Sequence, residues 1–179
     1  MWSSTDCIII GADVLKEPLY QIAKVQKNIP LIKFDLVKSP IPDNSIDTLI
    51  LLNVLEHIKD DFKALKKAFN MLKPNGSIVI EVPAGPMLYD SYDKELNHFR
   101  RYTAKELKDK LNRAGFTVKR LSHLGFFLFP LFALVKLKNK IFARQKIDIV
   151  RENISSTSKN IIIKSLMRLE QKYFSNASF

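Results

Sequence analysis

Residues 32–83 read IKFDLVKSPIPDNSIDTLILLNVLEHIKDDFKALKKAFNMLKPNGSIVIEVP and predict a strand, a loop, a second strand, a helix and a third strand. The apolar run at residues 48–52 is short and β-permissive, which suits a parallel strand covered on both faces. Asp60 can cap the helix. The apolar positions that follow recur at helical spacing: Phe62, Leu65, Phe69 and Leu72. Residues 77–82 form the third strand, so the stretch predicts a βαβ unit with a right-handed crossover.

The flanking sequence continues this alternation of strands and helices. Residues 7–13 are a β-rich run that ends in a glycine and an acid, and a helix is expected from about residue 17 to residue 27. Residues 30–34 predict another strand. Thr103 and Glu106 form a capping box for a helix that Gly115 ends as a left-handed cap, and residues 116–122 alternate as a strand does. The chain therefore predicts an α/β fold with a doubly wound, mostly parallel sheet.

Composition and charge narrow the class of protein. The chain has 179 residues, 46% of them hydrophobic, so it can bury one substantial core. The formal net charge of +11 at pH 7 favours anionic partners, such as nucleic acid, phosphorylated substrates or an acidic membrane face. The single Cys7 excludes an internal disulfide and a thiolate metal site, and no metal site is expected. A single cysteine also fits a reducing cytosol. Residues 1–6 lack the features of a signal peptide.

Several motifs together resemble one family, the class I methyltransferases that use S-adenosylmethionine. The resemblance is to the branch in which the fourth strand runs into a Leu-Glu-His turn. The matching segments are Asp35, residues 42–47, residues 54–58 and residues 72–76. Residues 97–107 also match an H-x-R-R-Y-T-x-x-E-L stretch, found in the branch that often modifies sugars and lipid-linked intermediates. The resemblance covers roughly residues 7–123 and implies a Rossmann-like fold with S-adenosylmethionine as cofactor.

The resemblance also implies which residues bind the cofactor. Asp13, at the carboxyl end of the second family strand, would accept the two ribose hydroxyls, or else would cap the next helix. Asp35 would meet the adenine amino group, helped by the backbone of Leu36, or else would only form a turn. Asn53 would lie near the methionine end of the cofactor, and Val54 belongs to the turn along one wall of the pocket.

The loop at residues 83–102 is the expected substrate region. It is about twenty residues long, which is unusual in a compact domain unless the loop is functional. His98 is the candidate general base, because its unperturbed pKa lies near neutrality. Tyr89, Arg100 and Arg101 are candidate substrate-binding residues. The two arginines could grip a carboxylate or phosphate, or could brace the loop against its own acids.

Two parts of the family pattern are missing. The Gly-rich turn after the first strand is absent, and the seventh strand has no counterpart before residue 179. In the family's strand order, 3-2-1-4-5-7-6, the first strand is central. The sheet should therefore be incomplete, with a gap, a rearranged pairing, or a strand supplied by another copy or by a strand-donating partner. The isolated chain is then expected to have little or no catalytic activity.

The chain divides at residue 123. Residues 1–123 are expected to form a partial methyltransferase domain, and residues 124–179 an apolar and basic helical segment. Residues 124–135 carry no charge and are followed by lysines up to residue 140. This run is too short to span a bilayer, which takes about 20 apolar residues. Two uses of residues 124–140 stay open: peripheral contact with an anionic membrane, or packing against the domain.

Three functions are compatible with the sequence. The first is methyl transfer from S-adenosylmethionine to a small-molecule or lipid-linked acceptor, a saccharide among them, in the cytoplasm or at the membrane periphery. The second is a non-catalytic fragment or partner subunit. The third, a nucleic-acid methyltransferase, is disfavoured because residues 53–56 lack the turn that holds a flipped-out base. The basic residues also lack interleaved aromatic residues on which bases would stack.

Overall fold

The computed structural model describes residues 7–123. Its helices and strands are β1 (Gly11–Asp13), α1 (Lys16–Val25), β2 (Leu31–Lys33), β3 (Ile46–Leu52), α2 (Asp61–Met71), β4 (Leu72–Glu81), α3 (Ser91–Glu95) and α4 (Ala104–Ala114). Single 3-10 turns lie at Leu36–Lys38, Leu55–His57 and Pro86–Leu88. The described residues form two compact units. The first unit holds residues 7–50 and 60–79, and the second holds residues 51–59 and 80–123.

Strands β1 and β2 are parallel and are joined by α1. Gly11 pairs with Leu31, and Asp13 pairs with Lys33. The hydrogen bond from the N–H of Phe34 to the carbonyl of Asp13, at 3.1 Å, continues this ladder. A Cβ atom at Gly11 would lie 2.7 Å from the Leu31 side chain, so the absence of a side chain allows the close approach at this point. The segment is the βαβ unit that the alternating sequence pattern predicts.

Strands β3 and β4 form the second pair, with α2 as the connection. The N–H of Ser45 donates to the carbonyl of Met71, and the N–H of Asn53 donates to that of Glu81. The donor and the acceptor residue numbers both increase from the first bond to the second, so the two strands are parallel. Asp60 caps α2, because its Oδ1 accepts the N–H of Lys63 at 3.0 Å. The predicted βαβ unit at residues 32–83 is confirmed, although β4 begins at Leu72 rather than at Ser77.

The buried face of α2 differs from the predicted one. Ala64, Leu65, Ala68 and Met71 are fully buried, whereas Phe69 is 41% exposed. The two alanines let the helix pack closely on their side, and the large Phe69 lies at the margin of the contact. Leu65 therefore lies on the buried stripe as predicted, but Phe69 does not.

The sheet is incomplete, as expected. Within residues 7–123, β1 pairs only with β2 and β3 pairs only with β4, and no ladder joins the two pairs. The second and fourth family strands therefore do not pair directly to close the gap. Apolar side chains on these strands remain uncovered by the described residues, with Ile50 59% and Val79 51% exposed. The α/β class with parallel strands is confirmed.

Two local predictions after β4 are wrong. Residues 116–122, predicted as a strand, have no regular secondary structure, because a strand exists only where a neighbour supplies its hydrogen bonds. The loop at residues 83–102 contains α3, which begins with a capping box between Asp90 and Asp93. The segment 124–179, with the membrane contact predicted for residues 124–140, lies outside the described residues. Between residues 7 and 123, no helix has the length and apolarity that a membrane crossing requires.

Helix α4 begins at the predicted Thr103 cap and ends at the predicted Gly115 cap, but within the described residues only the Thr103 half of the predicted capping box is formed. Thr103 Oγ1 accepts the N–H of Glu106 at 3.1 Å. At the other end, Gly115 has φ 112° and ψ −2°, in the left-handed region that side chains avoid. The N–H of Gly115 and that of Phe116 bond back to the last turn, to Asn112 and Leu111 respectively. This turn is the Gly-ended helix cap that the sequence predicts.

Gly115→Ala should therefore destabilise the chain. The left-handed conformation costs a residue with a Cβ atom about 1–2 kcal/mol, and we expect the free energy of unfolding to fall by that amount. Urea denaturation followed by circular dichroism measures it. Asn112→Ala, which changes an exposed position in the same last turn, serves as the control and should change stability by about 0.5 kcal/mol or less. Equal effects of the two substitutions would contradict the prediction.

Candidate functional site

The turn after β3 presents two neighbouring side chains in opposite directions. Asn53 adopts φ 51°, a left-handed conformation that asparagine tolerates better than most residues. The chain then enters the 3-10 turn Leu55–His57. Leu55 and Glu56 are fully buried, whereas His57 is exposed. A carboxylate is thus placed inside the second unit and an imidazole at its surface.

A second segment of the same unit lies against this turn. The N–H of Phe99 donates to the carbonyl of Glu56 at 2.7 Å. One residue later, Arg100 Nη2 donates to the carbonyl of Lys59 at 2.7 Å. These contacts bring His98 beside His57, with ring centroids 4.7 Å apart and ring planes at 76°. The H-x-R-R segment and the Leu-Glu-His turn therefore build one cluster.

Asp93 anchors this cluster from α3. Its side chain is fully buried and accepts from Arg101 Nε at 2.8 Å through Oδ1. The same oxygen lies 3.0 Å from His98 Nδ1, and Oδ2 accepts the backbone N–H of Asp90 at 3.0 Å. Arg101 also donates to the carbonyl of Ala84. Asp93 is a buried charge with a charged partner and further hydrogen bonds, which is the condition under which burial is tolerated.

The contact with Asp93 determines the chemistry of His98. An ionised carboxylate only accepts hydrogen bonds, so this contact favours the neutral tautomer of His98 that has its proton on Nδ1 and a lone pair on Nε2. The backbone of His98 is also held in place. The backbone N–H of His98 donates to the carbonyl of Asp93 at 2.8 Å, and the carbonyl of His98 accepts from the Tyr89 hydroxyl at 2.7 Å. A fixed Nε2 lone pair can accept a proton or coordinate a metal ion.

Glu56 is the other unusual group. Its side chain is fully buried, and neither carboxylate oxygen has a well-formed hydrogen bond within residues 7–123. Burial raises the pKa of this carboxyl above its ordinary value of 4.5. Its own backbone N–H and the imidazoles of His57 and His98 act in the opposite direction, whereas Glu81 raises the pKa further. Ligand atoms of Glu56, His57 and His98 lie within 4.8 Å of one another.

The predicted cofactor residues fall in both units and are described within each. In the first unit, Asp13 Oδ1 accepts the N–H of Leu15 at 2.8 Å, and Asp35 Oδ1 accepts that of Val37 at 2.9 Å. Each aspartate therefore shapes the turn after its strand with one carboxylate oxygen. Leu36 is buried, and its backbone forms part of the turn that Asp35 caps. In the second unit, Asn53 is exposed and Val54 is half-buried. Their roles toward a cofactor stay predictions.

The predicted substrate residues have internal partners. Arg101 is 8% exposed and braces Asp93, which is the second of the two uses that the sequence left open. Arg100 reaches the carbonyl of Lys59, and Tyr89 that of His98. Substrate binding by these three residues and base action by His98 stay predictions. The sequence motifs predict no specific role for Glu56, and they predict Asp93 as a loop residue near the substrate and as one of the acids that the arginines could brace.

Comparison with known proteins finds similarity to methyltransferases. Residues 2–80 match the family model described as a methyltransferase domain. A "probable S-adenosylmethionine-dependent methyltransferase" of Mycolicibacterium smegmatis is 27% identical over 113 residues, which are 62% of this chain and 44% of that protein. The chain thus spans less than half the length of the curated relatives it matches.

Solved structures agree in fold. A SAM-dependent methyltransferase of Thermotoga maritima aligns with a TM-score of 0.53 at 22% identity, over 62% of this chain and 55% of that one. An S-adenosylmethionine-dependent methyltransferase of Mesorhizobium loti aligns with a TM-score of 0.52 at 17% identity, over 63% of this chain and 64% of that one. At these identities, the likeness shows the fold.

Asp93→Asn should weaken the second unit strongly. The substitution removes the charge that pairs with the buried Arg101 guanidinium at 2.8 Å, and breaking a buried ion pair from one side costs about 3–5 kcal/mol. Urea denaturation should show this loss. Glu95→Gln, which removes an exposed charge from the end of the same helix, is the control and should change stability by about 0.5 kcal/mol or less. A loss of under about 1 kcal/mol in Asp93→Asn would show that the pair does not organise this unit.

Glu56 should make stability depend on pH. Because burial raises the folded-state pKa above 4.5, the folded chain holds a proton that the unfolded chain has lost. This contribution to stability is complete below pH 4.5 and is lost as the pH rises through the folded-state pKa. The stability of the wild type relative to Glu56→Gln should therefore fall as the pH rises above 4.5, measured in a metal-free buffer. A difference that stays flat over this range would contradict the burial of a poorly solvated carboxyl.

Proposed function

We propose that this chain is a class I S-adenosylmethionine-dependent methyltransferase and takes part in methyl transfer to a small-molecule or lipid-linked acceptor. The observation that carries the proposal is the buried Asp93–His98 pair beside the Leu-Glu-His turn. This pair offers an oriented nitrogen lone pair, which an acceptor hydroxyl or amine needs as it loses its proton.

In the reaction that we infer, an acceptor heteroatom attacks the methyl carbon of the sulfonium. The C–S bond breaks and its electron pair passes to sulfur, which yields S-adenosylhomocysteine. The acceptor forms a new bond to the methyl carbon, and its proton passes to Nε2 of His98. Most of the rate in such an in-line displacement comes from holding nucleophile and methyl carbon at near-contact distance.

Asp93 and Arg101 would act as positioning residues. Asp93 holds the proton of His98 on Nδ1 and would stabilise the imidazolium once Nε2 has accepted the second proton. Arg101 holds the same carboxylate in place, so it would affect the reaction by positioning Asp93 and not by contacting the substrate. This assignment explains why an arginine of the H-x-R-R segment is 8% exposed.

The acceptor is inferred from charge and from the resemblance in residues 97–107. A net charge of +11 attracts phosphorylated or otherwise anionic acceptors, such as lipid-linked saccharides. Cytoplasmic location, with peripheral membrane contact through residues 124–140, is part of the same proposal. The charge would serve nucleic acid equally well, but residues 53–56 lack the turn that holds a flipped-out base.

One observation favours a second candidate, a chain that needs a further segment or partner for catalysis. Strand pairs β1–β2 and β3–β4 are not joined within residues 7–123. A strand between them, from another copy or from a strand-donating partner, would supply the missing hydrogen bonds. Such a chain would keep the fold and contribute residues to a site that it does not complete.

Calorimetric titration of S-adenosylhomocysteine into the 179-residue chain tests the proposal. We expect binding that Asp13→Ala weakens by about 10–150-fold, the value of one or two hydrogen bonds to a charged group. Asp43→Ala removes a surface carboxylate that pairs with Lys67 and should leave the affinity unchanged. Binding unaffected by Asp13→Ala would refute the cofactor assignment. No binding by a folded wild-type chain would reject unaided methyl transfer in favour of the second candidate.

A further inference from the structure

Glu56, His57 and His98 bring together the donor types of a metal site. One carboxylate and two imidazoles have ligand atoms within 4.8 Å of one another. Two histidines and one carboxylate are a ligand set of catalytic zinc sites and of non-haem iron sites. Bond lengths of about 2.0–2.2 Å place donor atoms roughly 3 Å apart, so the cluster has to contract around an ion. His57 is exposed and can rotate to do so.

The carboxylate provides an independent indication. Glu56 is fully buried, and apart from a contact with its own backbone N–H neither of its oxygens has a hydrogen-bond partner among the described residues. Buried polar groups are nearly always satisfied, and a carboxylate that lacks donors is satisfied best by a cation. The backbone of the same residue is well bonded, since its carbonyl accepts the N–H of Phe99 at 2.7 Å. The missing partner is therefore specific to the side chain, which lies next to the two imidazoles.

The surroundings of His98 provide a second indication. Metal-binding histidines usually donate their other ring N–H to a carboxylate or carbonyl, which fixes the coordinating nitrogen. His98 does so through Nδ1, which lies 3.0 Å from Asp93 Oδ1, and Nε2 is left to coordinate. Arg101 Nε holds the same Asp93 oxygen at 2.8 Å. The buried Asp93–Arg101 ion pair therefore holds one of the proposed ligands in place.

We propose that Glu56, His57 and His98 bind a divalent first-row transition-metal ion, with Zn²⁺ as the best-suited probe. Three protein ligands leave at least one coordination position open. An acceptor hydroxyl could take that position and lose its proton more readily, in which case His98 serves as ligand and not as base. Only this last consequence rests on the proposed methyl transfer, since ion binding itself does not require it. The sequence motifs do not predict this site, because His98 lies on a segment far from Glu56 and His57 in the chain.

Titration of Zn²⁺ into the chelator-treated 179-residue chain tests the proposal. We expect one ion per chain for the wild type. Glu56→Gln, His57→Gln and His98→Gln should each lower the affinity by at least about tenfold. Removal of the remaining histidine in His123→Gln, an exposed position, is the matched control and should leave the affinity unchanged. Mg²⁺, which prefers oxygen ligands, should bind far more weakly than Zn²⁺.

Glu56→Gln separates loss of a ligand from loss of folding. Glutamine keeps the shape of the side chain and carries no charge at any pH, so the metal-free variant should melt no lower than the metal-free wild type. Zn²⁺ should raise the melting temperature of the wild type and of His123→Gln, but not that of Glu56→Gln. Equal Zn²⁺ affinity in wild type, Glu56→Gln and His98→Gln would overturn the proposal, as would a folded wild-type chain that binds no Zn²⁺. Both readouts are independent of S-adenosylmethionine, so the methyl-transfer proposal and the metal proposal can fail separately.

Discussion

The buried carboxylate of Asp93 is the contact on which the second unit depends. A charge in the interior is tolerated only with a charged partner and further hydrogen bonds. Asp93 has both, because Arg101 Nε, His98 Nδ1 and the N–H of Asp90 surround its two oxygens. These contacts join the start of α3 to the segment that follows it. The Asp93 carboxylate thus holds the loop together and orients the imidazole of His98, which the proposed chemistry uses.

The elements that could be predicted are those determined by local sequence. Asp60 and Thr103 cap their helices, and Gly115 ends α4, because each bond joins residues a few positions apart. Features determined by tertiary contacts were predicted less well. Phe69 has the spacing of a buried residue but is 41% exposed, because the small Ala64 and Ala68 form the close contact. Residues 116–122 alternate like a strand, yet they form no strand ladder within residues 7–123.

The candidate site shows the same division. His98 could be predicted as a site residue from its motif and residue type. For Arg101, the sequence predicted two alternatives, anion binding or bracing of the loop acids. Glu56 could not, because what makes it unusual is burial without hydrogen-bond donors. That burial follows from the left-handed Asn53 and the turn after it, which direct Glu56 inward and His57 outward. No periodicity in the sequence distinguishes the two neighbours, since a single 3-10 turn is too short to have one.

Cofactor binding and the Glu56–His57–His98 cluster have different structural requirements. Asp13 and Asp35 follow β1 and β2, a strand pair that no ladder joins to β3 and β4 within the described residues. Their geometry toward a nucleotide would depend on whatever completes that sheet. The cluster and its support, by contrast, come entirely from residues 51–59 and 80–102, which are linked by bonds from Phe99 and Arg100 to the turn after β3. An incomplete sheet would therefore impair cofactor binding. The Glu56–His57–His98 cluster would keep its ligands in place even in an incomplete sheet.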